Sequence, residues 1–535
     1  MRSVSFRRFL ILFVALLCCC SSIACATENE LTIEERIERL EARLDASEQR
    51  ADQAEREAEQ AERQIESAGN AGSSPSETGK IALQSGRLAL KGASAEEDTQ
   101  LPEVELPSDK SDRFVFHAYS RSSLILGDNF KSVPINPNMT PAGRYDGALG
   151  LLGNEKDVFF EGLFSYEQNY ENGAHTRYNL MMSDQNNSLN DWTAEESTFN
   201  VRQANVEFSH LPSFTGPMEN TILWAGKRFY PDELGIFFLG GVGAGIQDIQ
   251  LGENWDTDIS FVGRSFGDPA VPGVVYPGDV DDADDEGAYS TDALVLSNSH
   301  HIGNWYLMLS AMSARDNDKR DIDGEGVAAD TGLHAMVAYK DDDSFYGLGD
   351  GNFRAALLMG KGLGAQVVSL GVDQNLIDSA EGVRVETRGT TYITPDWRIE
   401  PWLAAFSGRN RYSQGDKQDW VTLTVRLVNE VNRNFEMQYE TTYQWMNIDP
   451  AGLTYEDDDV TRNFRPIEGS YRRFTVAPTI KPKVGGFLVR PEIRFFASWS
   501  NWDKSINRFC RTDSLGRDNF DGNEWTYGIQ METWF

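Results

Sequence analysis

Trp525-Thr-Tyr-Gly-Ile-Gln-Met-Glu-Thr-Trp-Phe535 carries the clearest fold signal in this chain. Side chains alternate along it, with one face made of Trp525, Tyr527, Ile529, Met531, Thr533 and Phe535 and the other of Thr526, Gly528, Gln530, Glu532 and Trp534. Such alternation over about ten residues, with aromatic residues near the ends, is what a β-strand tilted across a bilayer requires. The segment therefore predicts the last strand of a transmembrane β-barrel.

Residues 1–26 have the composition of a secretory signal peptide. Arg2, Arg7 and Arg8 precede the apolar run Phe9–Leu17, and small residues then lead to Ala24-Cys25-Ala26. This is the order of a basic region, an apolar region and an A-x-A cleavage site. The apolar run is shorter than the roughly 20 residues that a membrane-spanning helix needs. We therefore predict cleavage after Ala26.

Charge and cysteine content exclude several classes of protein. The formal net charge is −34, which argues against nucleic acid as a partner because phosphates repel an acidic surface. Outside the predicted signal peptide Cys510 is the only cysteine, so an internal disulfide is excluded.

Acidic, glycine-rich segments such as 277–287 predict outward loops, where loose Ca²⁺ binding is an open alternative. Otherwise we predict no cofactor and no metal site.

Residues 27–68 predict an α-helical coiled coil. From Ile33 to Ala68, apolar and small residues recur at alternate spacings of four and three, which is the seam of a heptad repeat. Thr32 followed by Glu35 predicts a capping box at the helix start. Alanine at the seam buries little area, so the helix needs a partner, most simply from a second copy. A solvated single helix is the alternative.

Residues 69–112, rich in Gly, Ser, Pro and acids, predict a flexible linker.

Residues 113–535 predict an all-β domain. Short aromatic-rich segments, among them 114–126, 221–230 and 490–499, alternate in polarity and are separated by Gly, Asn and Asp clusters. Strands in lipid must close into a barrel, because no water satisfies the backbone groups of an open edge. The length allows roughly 18 strands at about 23 residues per strand and turn. The predicted fold class is therefore a transmembrane antiparallel β-barrel of about 18 strands, preceded by a short coiled coil.

Segments of this domain resemble the maltoporin family in the same order. They are 116–122, 152–155, 190–192, 202–206, 222–230, 243–245, 490–494 and 524–535. The added coiled coil resembles the sucrose-porin branch of that family. The resemblance implies a homotrimer of 18-stranded barrels in the cell outer membrane, each narrowed by an inward loop. It also implies facilitated diffusion of oligosaccharides, such as malto-oligosaccharides or sucrose.

The resemblance further implies which residues line the pore. The aromatic sugar path matches Tyr119, Phe159, Trp192 and Trp534, with Phe353 as a further match, and the polar track beside it matches Arg121, Glu161 and Arg202. Trp534 shares the polar face of its strand with Glu532, which independently predicts that it points inward. For each aromatic residue, the alternative is a place in the membrane girdle or in a trimer contact.

The chain departs from the family pattern at several of these positions. Leu488 occupies a path position that is aromatic in the family, and Leu151 replaces an arginine of the track. Between Tyr230 and Gly243 the chain is shorter than maltoporins and lacks their constriction tyrosine. In this shorter constriction loop we expect the lining residues to be Asp232, Glu233 and Phe238. The expected consequence is a pore that is wider or less tuned to maltodextrins.

The sequence also bears on classes of function other than a sugar channel. The six histidines stand in no hydrolase motif, and no Gly-x-Ser-x-Gly motif, zinc-ligand cluster or phosphate loop occurs, so we predict no enzyme. A general, non-specific porin would share the barrel but would lack selectivity for one sugar. An envelope-tethering protein would use the barrel as an anchor and contact peptidoglycan in the periplasm through the coiled coil. The remaining predicted partners are other copies of the chain, oligosaccharides and outer-membrane lipid.

Overall fold

The computed structural model describes residues 112–133, 140–143, 150, 152–153, 155–186, 199–229, 239–265, 293–314, 325–457, 460–509 and 522–535. The predicted signal peptide, the predicted coiled coil and all but the last residue of the predicted linker lie outside these ranges. Within the ranges, helices that combine the length and the apolar character needed to cross a bilayer are absent.

The described residues contain 20 β-strands and three short 3₁₀ helices. The strands are β1 Arg113–Gly127, β2 Val158–Asn169, β3 His175–Asn186, β4 Asn200–Ser209, β5 Ile222–Phe229, β6 Gly240–Gly252, β7 Trp255–Arg264, β8 Ala293–Ile302, β9 Trp305–Ala314, β10 Thr331–Asp341, β11 Asn352–Gly362, β12 Glu381–Thr394, β13 Trp397–Arg409, β14 Lys417–Asn432, β15 Phe435–Asp449, β16 Thr454–Asp457, β17 Val460–Asn463, β18 Ile467–Ile480, β19 Glu492–Trp502 and β20 Asn523–Trp534. The 3₁₀ helices are Gly216–Met218, Leu363–Ala365 and Ile506–Arg508.

Eighteen of these strands form one closed antiparallel barrel. Each barrel strand pairs with its neighbours along the chain, while β16 and β17 form a separate hairpin and β15 pairs with β18. The barrel closes between β1 and β20, where Tyr119 lies opposite Trp534. Phe535 extends this pairing, since its N–H donates to the Ala118 carbonyl at 3.1 Å and its carbonyl accepts from the Ala118 N–H at 2.9 Å. Closure satisfies the backbone groups of both end strands, as lipid requires.

The alternation predicted for the last strand separates the two faces of β20. On the outer face Trp525 and Ile529 are 43% and 39% exposed, whereas Thr526 and Gln530 on the inner face are 2% and 0% exposed. Because hydrogen-bonded pairing couples each strand to the next, the same division into inner and outer side chains continues around the barrel. The prediction of an 18-stranded antiparallel barrel is confirmed.

The two ends of the barrel differ in the length of their connections. Two-residue turns join β6 to β7, β8 to β9, β12 to β13 and β14 to β15 at the end where Phe535 lies. At the other end the connections are mostly longer, such as 315–330 between β9 and β10. Outer-membrane barrels keep short turns in the periplasm, so the end with Phe535 is the periplasmic one. The outer rings of Trp305 and Tyr339, with centroids 5.0 Å apart, lie at this end, as an aromatic belt does.

Segment 363–380, between β11 and β12, folds into the barrel. Nε2 of His334, on the inner face of β10, lies 3.1 Å from the carbonyl oxygen of Val367. Leu370 is fully buried in an apolar cluster with inner side chains of β8, β9 and β10. Gly371 adopts a φ of 73°, and a side chain there would press against the inner wall at β8. This inward segment was not among the sequence-based expectations, which concerned the earlier loop.

Candidate functional site

Three of the aromatic residues predicted for the path form one cluster on the inner face. Tyr119 lies on β1, Phe159 on β2 and Trp534 on β20. The ring centroid of Tyr119 is 5.8 Å from that of Phe159 and 6.1 Å from that of Trp534. Strand pairing brings them together, because Tyr119 is registered with Trp534 and Arg121 with Phe159. We call this surface of Tyr119, Phe159 and Trp534 the aromatic wall.

The periplasmic end of the aromatic wall is fixed by a charged group beneath it. The guanidinium carbon of Arg490 lies 4.2 Å from the ring centroid of Trp534. Arg490 Nη2 donates to Glu532 Oε2 at 2.9 Å, and Glu532 also pairs with Arg494. The Tyr119 hydroxyl donates to the other Glu532 oxygen at 3.1 Å. Trp534 therefore packs against the Arg490 cation, and the hydrogen bonds of Glu532 connect that cation to Tyr119, the next ring of the aromatic wall.

Arg121 is held beside the aromatic wall by two acids. Its Nε and Nη2 each donate to an oxygen of Asp157 at 2.6 Å, and Nη1 lies 3.0 Å from Glu155 Oε1. Its guanidinium carbon lies 5.0 Å from the Phe159 ring centroid and 5.9 Å from that of Tyr119. A bidentate arginine is rigid, and its guanidinium carries five N–H donors, more than these two acids use. This predicted track residue therefore borders two rings of the wall.

The other two predicted track residues form an ion pair. Arg202 Nη1 lies 3.2 Å from Glu161 Oε2, and both side chains are partly exposed. The register of β3 and β4 shifts between Met181 and Met182, which marks a β-bulge. An extra residue in a bulge re-aims a side chain, and here Arg202 reaches the inner-face Glu161. The Arg202 guanidinium also lies 4.7 Å from the Phe229 ring centroid.

Several of the predicted path and loop residues fall outside the part of the chain that the structure describes. Trp192, Asp232, Glu233 and Phe238 lie outside the described residues, so their roles stay predictions. Leu488 is 70% exposed on the turn between β18 and β19.

Phe353 lies on the outer face of β11 and not in the lumen. Its ring centroid is 4.5 Å from that of Tyr346 and 5.4 Å from that of Tyr339, an outer residue of β10. Its strand neighbour Arg354 faces inward, opposite Arg388. The match of Phe353 to a path position therefore fails, because side chains alternate and one step along the strand changes the face.

The described lumen also contains a set of ion pairs, several of them buried, that the sequence-based expectations did not include. The pairs are Arg384–Glu386 at 2.6 Å, Arg388–Glu400 at 2.5 Å, Arg426–Glu440 at 2.6 Å and Lys481 with Glu436 at 2.9 Å and Glu492 at 3.2 Å. A period-two run such as Arg384-x-Glu386-x-Arg388 places all three charges on one face of a strand. That spacing is the signal that would have predicted them.

One group of acids on β6 and β7 has the spacing of a cation site. Single carboxylate oxygens of Asp248, Asp256 and Asp258 all lie within 4.8 Å of one another. The Asp248 N–H donates to Asp258 Oδ1 at 2.9 Å, and His301 Nδ1 lies 3.6 Å from Asp256 Oδ1. Because these contacts already explain how the acids are held, their proximity does not by itself indicate a metal.

The aromatic wall and its flanking charges suit one kind of ligand chemistry. Aromatic faces contact apolar C–H surface, whereas Arg121, Arg490 and the Arg202–Glu161 pair offer hydrogen bonds at the sides. A flat ring with apolar faces and a hydroxyl rim matches both surfaces at once. The side chains offer contacts along a path rather than one enclosed pocket, which permits a ligand to move on.

Comparisons with known proteins show which family the chain resembles. Residues 114–535 match the family described as LamB porin. Maltoporin 1 of Klebsiella pneumoniae subsp. pneumoniae is 25% identical over 446 residues, which cover 78% of this chain and 92% of that protein. Maltoporin 2 of Yersinia pseudotuberculosis is 24% identical over 407 residues, covering 72% and 88%. The solved structure of the outer membrane protein opdK from Pseudomonas aeruginosa covers 79% of this chain and 99% of that one, with 10% identity and a TM-score of 0.40, a likeness too low to bear on function.

Proposed function

Because this chain belongs to the LamB porin family and lies in the outer membrane, we propose that it is a channel for the facilitated diffusion of oligosaccharides. The observation that carries the proposal is the aromatic wall, with Tyr119 within 6.1 Å of the rings on both sides of it. The relatives named maltoporins support a sugar as the transported class. Malto-oligosaccharides and sucrose are the candidate substrates.

Transport along the wall follows from contacts that are individually weak. A sugar ring stacked on Tyr119 gains dispersion and loses apolar hydration, at a scale of roughly 1 kcal/mol per aromatic contact. Arg121 and Arg490 beside the rings exchange hydrogen bonds with successive hydroxyls as the chain advances. Since neighbouring positions are similar in free energy, no single site traps the sugar. Trp192 and the constriction residues Asp232, Glu233 and Phe238 would extend this path towards the cell exterior.

We also propose that the working assembly is a homotrimer with a periplasmic extension. Residues 27–68 would form a coiled coil between copies, joined to each barrel by the linker 69–112, after removal of residues 1–26. An alanine-rich heptad seam is weak alone, so attachment to a trimer would supply the high local concentration that the helices need. Contact of this extension with peptidoglycan is the accompanying expectation.

Sugar block of single-channel current tests the proposal directly. The current through purified protein in a planar bilayer should rise in steps that correspond to three channels at a time. Either sucrose or maltohexaose should block this current saturably. We expect Tyr119→Ala to raise the sugar concentration for half-block about fivefold, because losing one ring contact costs roughly 1 kcal/mol.

Tyr178→Ala is the matched control. Tyr178 lies on the outer face of β3 and is 44% exposed, so its removal should leave sugar block as in the unaltered protein. Conductance in steps of three without any sugar block would contradict the proposal and indicate a general porin. A protein that conducts no ions, whose loss causes a cell-wall defect, would indicate an envelope tether.

A further inference from the structure

A second pair of aromatic rings lies beyond the aromatic wall, at the periplasmic mouth of the barrel. Phe487 belongs to the turn between β18 and β19, and Tyr392 lies near the periplasmic end of β12. The guanidinium carbon of Arg398 is 5.0 Å from the ring centroid of Phe487 and 5.8 Å from that of Tyr392. One arginine therefore brings together two rings from distant parts of the chain. We call Phe487 and Tyr392 the exit pair.

The strand register sets Tyr392 apart from the aromatic belt on the outer face. Tyr392 lies opposite Arg398, an inner side chain that is only 1% exposed, and its hydroxyl donates to Glu430 Oε1 at 2.7 Å. Trp397 is the strand neighbour of Arg398 and therefore points outward, where its ring stacks on that of Tyr439 with centroids 6.4 Å apart. Charged groups of the lumen, and not lipid, therefore hold the ring of Tyr392.

Both rings of the exit pair line a cavity of about 1120 Å³ at the periplasmic mouth. Thr390 and Glu400 line it too, so apolar ring faces stand beside hydroxyl and carboxylate groups. Tyr392 is 46% exposed, which leaves part of its ring open to a ligand. The volume exceeds the roughly 300–1,000 Å³ of common small-molecule sites, so a chain of several sugar rings has room. The cavity thus offers a sugar the same combination of surfaces as the aromatic wall.

Arg490 connects the exit pair to the aromatic wall. Its guanidinium carbon lies 4.2 Å from the ring centroid of Trp534, and its Nη1 donates to the Phe487 carbonyl oxygen at 2.7 Å. Lys481 holds the same turn from its other end, since its Nζ donates to the Gly486 carbonyl oxygen at 3.2 Å. Aromatic rings and guanidinium groups therefore follow one another from the aromatic wall to the exit pair.

We propose that the exit pair is a further sugar-binding site, which holds one ring of an oligosaccharide whose other rings still lie on the aromatic wall. Each contact is as weak as those of the wall, so the leading end of the chain gains a contact while its trailing end loses one. Phe487 thereby supplies the ring that its neighbour Leu488 lacks. The inference rests on the proposed sugar channel and narrows its preferred substrates to chains long enough to reach both surfaces.

Block of single-channel current by a long and a short sugar tests the proposal. Maltohexaose is long enough to reach the exit pair from the aromatic wall, whereas maltotriose can bind to the wall alone, whose rings are 5.8 and 6.1 Å apart. We expect Phe487→Ala to raise the maltohexaose concentration for half-block about fivefold, through loss of one ring contact, and to leave that of maltotriose unchanged. Tyr392→Ala should have the same selective effect, and Phe487→Tyr, which keeps a ring, should retain most of the block.

Tyr439→Ala and Tyr119→Ala are the matched controls. Tyr439→Ala removes a ring at the same end of the barrel but on the outer face, so block by both sugars should stay as in the unaltered protein. Tyr119→Ala removes a ring of the aromatic wall that both sugars contact, so it should weaken block by both. Heat-dependent mobility on a gel shows that each variant is folded.

The outcomes separate the exit pair from the sugar channel on which it rests. Equal weakening of block by both sugars in Phe487→Ala and Tyr392→Ala would mean that these rings only support the mouth of the barrel, which overturns the exit pair. Unchanged block by maltohexaose in both variants would also overturn it and leave the sugar channel standing, as would block of the unaltered protein by sucrose but not by maltohexaose. Absence of block by all three sugars in the unaltered protein would overturn both.

Discussion

Removal of Trp525–Phe535 is expected to abolish the folded barrel. Without these residues β1 and β19 lose their shared neighbour β20, including the pair of hydrogen bonds between Ala118 and Phe535. Each backbone group left unpaired in lipid costs several kcal/mol, and this deletion would expose two strand edges. The total exceeds the whole stability of a typical domain. The measurement is the fraction of protein that inserts into outer membranes and resists unfolding by detergent at room temperature.

Deletion of residues 27–109 is the control for this experiment. These residues lie outside the described barrel, and Asp112, whose carboxylate accepts a hydrogen bond from the Tyr166 hydroxyl at 2.6 Å, is kept. We expect the shortened chain to insert with unchanged efficiency, because its barrel is complete. Insertion of the Trp525–Phe535 deletion at normal yield would contradict closure between β1 and β20.

Substitution of Leu309 by arginine is expected to cost about 2–4 kcal/mol of barrel stability. Leu309 lies in the middle of β9 on the outer face and is 64% exposed, so lipid tails surround it in the membrane. A guanidinium at that depth loses its water without gaining a partner. Equilibrium unfolding by guanidinium chloride of barrels refolded into lipid vesicles measures the change.

Ile302→Arg tests whether the cost depends on depth. Ile302 is also an outer residue, but it ends β8 next to a two-residue periplasmic turn, where an arginine reaches the headgroups. The expected cost there is about 0–1 kcal/mol. If both variants were equally stable, the outer surface of β8 and β9 would not face lipid as the barrel requires.

Alternation along single strands made much of the fold predictable. Alternation predicts that Trp534 shares the inner face with Gln530 and Glu532, and the structure places it there against Tyr119. Tyr119 and Arg121, two residues apart on β1, share the inner face in the same way. These assignments need only the period of two, which the backbone imposes on every strand.

Phe353 is a residue whose predicted position in the lumen was wrong. Its match to a path position rested on the resemblance alone, and a difference of one residue along the strand places it on the outer face instead of in the lumen. The inward segment 363–380 was also missed, because its burial depends on the wall of β8–β10 that receives it. Nothing within the segment itself marks that wall.

The sequence alone determined the all-β class, the approximate number of strands and the inner or outer side of residues such as Ile529 and Trp534. These properties depend on local alternation and on the requirement that every strand edge in lipid be hydrogen-bonded. Only the tertiary structure decided which side chains meet across strands. The register brings Tyr119, Phe159 and Trp534 into one wall and sets Tyr392 opposite Arg398 at the periplasmic mouth. Register is a relation between strands distant in the chain, and no single stretch of residues contains it.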